Sequence, residues 1–162
     1  MEAATVLEYL RTNRLRYAIV PHLRVVRGGP DSVPVDPFED FARTVLVMAN
    51  QGPSLMVIPA SSTLDMELVR AAVADPYARE ATDVELRDAF SGYEPGTLPP
   101  LSVLVRAPMY VDPAIARRRH VTFAAGRRDV CVRMATRELF GDDPVVIAPL
   151  TTDERASDGP ID

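Results

Sequence analysis

Two pairs of apolar runs, each folded about a short polar break, constrain this chain more than any other feature. Thr44 to Met48 and Leu55 to Ile58 are dense in β-favouring residues and flank Asn50-Gln51-Gly52-Pro53. His120 to Ala124 and Val130 to Met134 flank Gly126-Arg127-Arg128-Asp129, a four-residue polar turn. Strands joined by breaks this short run antiparallel, as hairpins. Helical stripes lie around them: residues 3 to 13 carry Val6, Leu7 and Leu10 on one face, and Asp65 to Val73 carries Leu68, Val69 and Ala72. Hairpins mixed with helices, without a strict βαβ alternation, predict an α+β domain with a mixed sheet.

Shorter signals fill the gaps. A strand is expected at Tyr17 to Pro21, a loop at Arg27 to Pro34, and a short helix at Asp36-Pro37-Phe38-Glu39, where a cap precedes a proline. Leu101 to Arg106 and Met109 to Val111 read as strands broken by Pro108. Asp112-Pro113 opens another short helix, Thr136 to Phe140 a last helical turn, and Val145 to Pro149 an edge strand or a packing segment.

The stretch Thr82 to Pro100, TDVELRDAFSGYEPGTLPP, joins a capped helix to a loop too rich in glycine and proline to be core. Thr82 with Glu85 fits a capping box, so a helix starts at Asp83. It ends near Phe90, because Gly92 suits a left-handed C-terminal residue and Pro95 cannot continue a helix. In Gly96-Thr97-Leu98-Pro99-Pro100 the glycine allows close approach to the backbone and the prolines fix φ and remove donors. The amides of Gly96, Thr97 and Leu98 are then held in place, either as a plain turn or as donors to a bound oxygen.

The order VLVM, LMVIPA, TLD, the capped helix into GYEPGTLPP, then APMYVD and FAAGRRDVCVRM resembles the YbaK family of aminoacyl-tRNA deacylases, also called the ProX or prolyl-tRNA synthetase editing-domain family. The resemblance runs from Val6 to Phe140 and is strongest from Arg43 to Pro100. It implies a curved, partly barrel-like mixed β-sheet surrounded by short helices. It also implies hydrolysis, without a metal or other cofactor, of the ester between a wrong amino acid and its tRNA. The substrate loop of the family, G-x-x-x-P, matches Gly96 to Pro100, which places Pro99 and Pro100 at the substrate. The family's lysine before a Thr or Ser is replaced here by Arg43 before Thr44. The chain has no lysine at all, its 18 basic residues being arginine. Arginine stays charged and cannot act as a base, but it can stabilise an oxyanion or grip a phosphate.

Other candidates carry two readings each. His22, where the family often has a histidine, is a substrate contact or a polar strand end. Arg43 is a pocket residue or an edge arginine paired with a surface acid. Ala125-Gly126 resembles the small pair that lines the family's acyl pocket, or is a turn. Arg117, Arg118 and Arg119, with Arg127 and Arg128, make one basic grouping if the last hairpin folds back, either a solvated face or a contact with tRNA phosphate. Cys131 reads as a small buried residue.

At 162 residues, 47% hydrophobic and 25% charged, the chain is expected to form one domain over residues 1–150. The formal net charge of -5 misleads about partners. Residues 141–162 hold six acids against Arg155, which leaves 17 arginines and 17 acids in the body. The polar segment 151–162 is expected to be a disordered acidic tail. One cysteine and two histidines give no metal cluster, and no apolar run approaches a membrane span. The expectation is a cytoplasmic, trans-acting editing hydrolase for small acyl groups. Its partner would be the acceptor end of aminoacyl-tRNA, with no membrane and no DNA, and its state a monomer or weak homodimer. The alternative is a YbaK-like module that binds without turnover.

Overall fold

The computed structural model describes residues 3–20, 41–141 and 144–152. Along the chain come α1 (Ala3–Thr12), β1 (Ala18–Val20), β2 (Ala42–Ala49), β3 (Gly52–Pro59), α2 (Met66–Val73), β4 (Arg79–Glu80) and α3 (Asp83–Ala89). There follow α4 (Ser102–Val105), β5 (Met109–Val111), α5 (Pro113–Ala116), β6 (His120–Arg127), β7 (Val130–Ala135), α6 (Thr136–Phe140) and β8 (Val145–Ile147). The expected loop at Arg27, the expected helix at Asp36 and the candidate His22 lie outside the described residues.

Both hairpins form. β2 and β3 pair antiparallel from Ala42 opposite Pro59 to Ala49 opposite Gly52, so Asn50 and Gln51 make a two-residue turn. They sit inside a five-stranded sheet ordered β4-β2-β3-β5-β8, in which β5 runs parallel to β3 and β8 parallel to β5. β6 and β7 form a second, antiparallel sheet with β1, ordered β1-β7-β6. A bridge between Phe41 and Thr122 links the two sheets. The architecture is thus the expected α+β with mixed pairing. Its barrel-like character is partial, since the strands form two open sheets rather than one closed ring.

β3 is the centre of the core. Leu55, Met56, Val57 and Ile58 are all fully buried, and alternate side chains enter different clusters. Leu55 and Val57 join Val6 and Leu10 of α1 with Phe123 and Val132, while Met56 and Ile58 join Val69 of α2 and Leu150. A strand covered on both faces explains its unbroken apolar run, each such side chain contributing about 1.5–3 kcal/mol. Two carboxylates tie loops to this frame. Asp75 accepts from the amides of Asn50 (2.7 Å) and Tyr77 (2.8 Å), fixing the β2–β3 turn against the end of α2. Buried Asp112 caps α5 through Ala114 (2.9 Å) and accepts from the amide of Leu150 (2.9 Å) and the hydroxyl of Thr151 (3.2 Å). Thr151 also bridges to Leu64, and the Thr152 hydroxyl donates to Asp65.

Three local expectations are corrected. Residues 101–106 form the helical turn α4, not a strand: Leu101 and Val105, four apart, are the buried pair, and Arg106 closes the turn at φ 61 with its amide on Ser102 (2.7 Å). Helical spacing of the two core contacts outweighs the β-branched composition. The left-handed glycine after α3 is Gly96 (φ 78) rather than Gly92, and the helix ends at Phe90. Gly126 lies within β6, not in the hairpin turn. It sits at φ 92 in a bulge between Ala124 and Arg127, and the turn moves to Arg128 and Asp129.

Candidate functional site

The capping box at the start of α3 is real and is reinforced. The Thr82 hydroxyl accepts from the Glu85 amide (3.1 Å), and the Glu85 carboxylate accepts from the Thr82 amide (2.8 Å). Arg79 of β4 forks onto both oxygens of the same carboxylate at 2.8 and 2.9 Å. The Arg79 guanidinium first, and the Thr82 amide second, lower the Glu85 carboxyl to about 2. β4 is held to β2 by pairing of Glu80 with Val47, and the Ala81 amide donates to Leu46 (2.9 Å). Helix α3 is therefore anchored by its first turn to the edge of the larger sheet.

Beyond α3 the loop is laced to the β6 bulge. The Glu94 amide donates to the carbonyl of Gly126 (3.0 Å), and the Gly126 amide donates to the carbonyl of Thr97 (3.0 Å). The Glu94 side chain accepts from the Arg128 amide (2.8 Å). Within the loop, the Thr97 hydroxyl (2.6 Å) and amide (3.2 Å) both donate to the Glu94 carbonyl. This corrects one expectation: the Thr97 amide is already engaged, and its side chain, 2% exposed, is structural. The amides of Gly96 and Leu98 donate to no group among the described residues. Gly96 has open space where a Cβ would stand, so its positive φ, not crowding, requires glycine.

Between this loop, α3 and β2 lies a cavity of about 460 Å³. Of the expected site residues, Arg43, Thr44, Gly96 and Leu98 line it. Pro99, Pro100, Ala125 and Gly126 are buried and do not line it, and of these Gly126 is hydrogen-bonded to the loop. Thr44 is 8% exposed, and its hydroxyl is buried with no hydrogen-bond partner among the described residues. Arg43 is exposed and reaches only the Ser62 carbonyl, at 3.4 Å, with no carboxylate partner among the described residues. The site therefore offers a guanidinium with no carboxylate partner among the described residues, a buried hydroxyl and two loop amides.

Most of the wall lies outside the residues expected from the sequence. Asp83, Leu86, Arg87 and Phe90 all line the cavity, and their spacing is that of one helix face, a signal present once the capping box had set the register. Tyr93 also lines it and stacks on Phe90, with ring centroids 5.8 Å apart and planes at 13°. Burial raises the Tyr93 phenol above its ordinary value. Glu80 and Glu94 add carboxylates to the rim; Glu80 was missed because two residues of strand leave no periodicity.

The expected basic grouping divides. Arg117, Arg118 and Arg119 precede β6, whereas Arg127 and Arg128 end it, on the order of 20 Å away along the strand. Arg128 lies next to the candidate cavity through Glu94, and Arg127 pairs with Asp129 at 3.0 Å.

The fold has solved counterparts. A protein proposed as a trans-editing enzyme for prolyl-tRNA synthetase superposes with a TM-score of 0.71 at 19% identity, over 94% of this chain and 99% of its own. The hypothetical protein APE2540 gives 0.72 at 21%, over 91% and 99%. A scaffold protein used for computational epitope grafting gives 0.72 at 19%, over 93% and 97%. At such identities these likenesses establish the fold class. No curated protein matches the chain. The sequence itself settles the family: residues 33–141 match the aminoacyl-tRNA editing domain, and the chain belongs to that family, the YbaK type its motif order resembles.

Proposed function

We propose that this editing domain acts in trans, hydrolysing the ester of a mischarged tRNA that carries a small amino acid. The observation that carries the reading is the one cavity lined by Arg43, Thr44, Gly96 and Leu98, in a chain of the editing family. The terminal ribose and its acyl group enter between α3 and the loop. The amides of Gly96 and Leu98, unengaged among the described residues, donate to the ester carbonyl as negative charge develops, each such donor being typically worth about 3 kcal/mol in hydrolases. The Thr44 hydroxyl finds its missing partner on the substrate. Arg43 stabilises the oxyanion or holds the terminal phosphate, and Arg128 with Arg127 meets the incoming backbone. At Arg117 to Arg119, on the far end of β6, a tRNA contact would need a longer footprint. Water attacks with help from the tRNA's own terminal hydroxyl, and the reading calls on no metal.

A second reading, a binding module without turnover, is favoured by Arg43 itself, since a guanidinium keeps its charge where a lysine can lose it. Single-turnover deacylation by Arg43→Lys and Arg43→Ala separates the two. The hydrolase reading expects the rate to change in both variants; a slow background rate identical in all three proteins supports the binding module.

A further inference from the structure

A second cavity, of about 620 Å³, lies at the β8 edge of the five-stranded sheet, the edge opposite β4. It shares no lining residue with the first. Val111, Phe140, Val145 and Ile147 give it apolar walls, and Arg118, Arg119 and Arg137 stand among them. Two donors of these lining residues have no partner among the described residues: the buried hydroxyl of Thr136, a residue 8% exposed, and the buried Nη1 of Arg118. The neighbouring groups are committed elsewhere: the Thr136 amide donates to the Arg119 carbonyl (2.9 Å), and the Glu138 carboxylate accepts from the Arg16 amide (3.3 Å).

A buried donor left without an acceptor is destabilising, and more so when it is charged. Both of these donors belong to residues that line this cavity, beside the guanidinium groups of Arg119 and Arg137. Guanidinium and hydroxyl together suit an oxyanion, and the walls around them suit an apolar body. We propose that this cavity binds a small amphipathic anion, a carboxylate or phosphate monoester on an apolar group. A free amino acid fits less well, because the described lining residues include no carboxylate to receive its ammonium. The inference is independent of the editing reading, and either can fail alone.

The test is calorimetric titration of the full chain with phenyl phosphate, benzoate and benzyl alcohol. Phenyl phosphate or benzoate is expected to bind, and which of the two is tighter names the head group; benzyl alcohol, the same body without the anion, is expected to bind at least about tenfold more weakly. Arg118→Gln should weaken the anion by about tenfold or more and Thr136→Val by several-fold; if Arg118→Gln does not fold, Thr136→Val carries the test alone. No anion bound at millimolar concentration, equal binding of benzyl alcohol, or anion affinity untouched in the folded variants would overturn the proposal. Displacement of phenyl phosphate by deacylated tRNA would overturn it too, in favour of a nucleic-acid phosphate at this site.

Discussion

The carbonyl of Thr97 accepts a hydrogen bond from the amide of Gly126 at 3.0 Å, which locks the loop after α3 to the bulge of β6. Gly126 adopts φ 92 to do so, and Gly96, one residue before Thr97, adopts φ 78. Gly96→Ala meets no atom within 4 Å, so its cost is conformational, about 1–2 kcal/mol by urea denaturation. Deacylation should fall further than this loss of stability explains, because the loop amides move. Activity at the native level in a destabilised Gly96→Ala protein would count against those amides as donors.

Thr44→Val separates stability from function. The buried hydroxyl has no partner among the described residues, so removing it should leave stability unchanged or raise it by about 1 kcal/mol. Catalysis should fall by about tenfold if the hydroxyl meets the substrate. Thermal melts and single-turnover rates on the same samples decide it, and a destabilised variant with full activity reverses the assignment.

The anchor of α3 is pH-dependent with a definite sign. Glu85 is lowered from 4.5 to about 2, chiefly by Arg79, so the folded state holds its proton less tightly than the unfolded chain. Its stabilisation is complete above about 4.5 and is lost as pH falls toward 2. An NMR titration should place the Glu85 midpoint near the lower value, and Glu85→Gln should flatten this part of the acid-stability curve. A midpoint at the ordinary glutamate value would mean that the Arg79 fork does not persist in solution.

Phe123 is 1% exposed and joins the two sheets' shared cluster. Phe123→Ala should cost about 3–5 kcal/mol in chemical denaturation. A loss below about 1 kcal/mol would show that the smaller sheet does not pack on the larger as described.

The hairpins, α2, α3 and its capping box were legible because their signals are local: alternation or continuity of apolar residues, and a side chain three residues from its cap. Leu101 to Val105 misled because β-branched composition does not reveal which residues find the core. Gly126 misled because a bulge and a turn ask for the same residue, and the hydrogen bonds that distinguish them come from Glu94 and Thr97, far away in sequence. The arginine grouping misled for a geometric reason: a hairpin folds its strands side by side, but Arg117 to Arg119 and Arg127 to Arg128 lie at opposite ends of the same strand. The loop was readable as a loop; which amide remained free was not, since the Thr97 amide is engaged by a backbone carbonyl that carries no sequence signature.

The most direct measurement is hydrolysis by the purified chain of a panel of mischarged tRNAs, with alanyl, cysteinyl, seryl and prolyl esters at its head. Deacylation well above the buffer rate is expected for at least one small acyl group, with bulky acyl esters spared and the rate reduced in Arg43→Ala. Hydrolysis no faster than buffer on every ester tested would contradict that expectation.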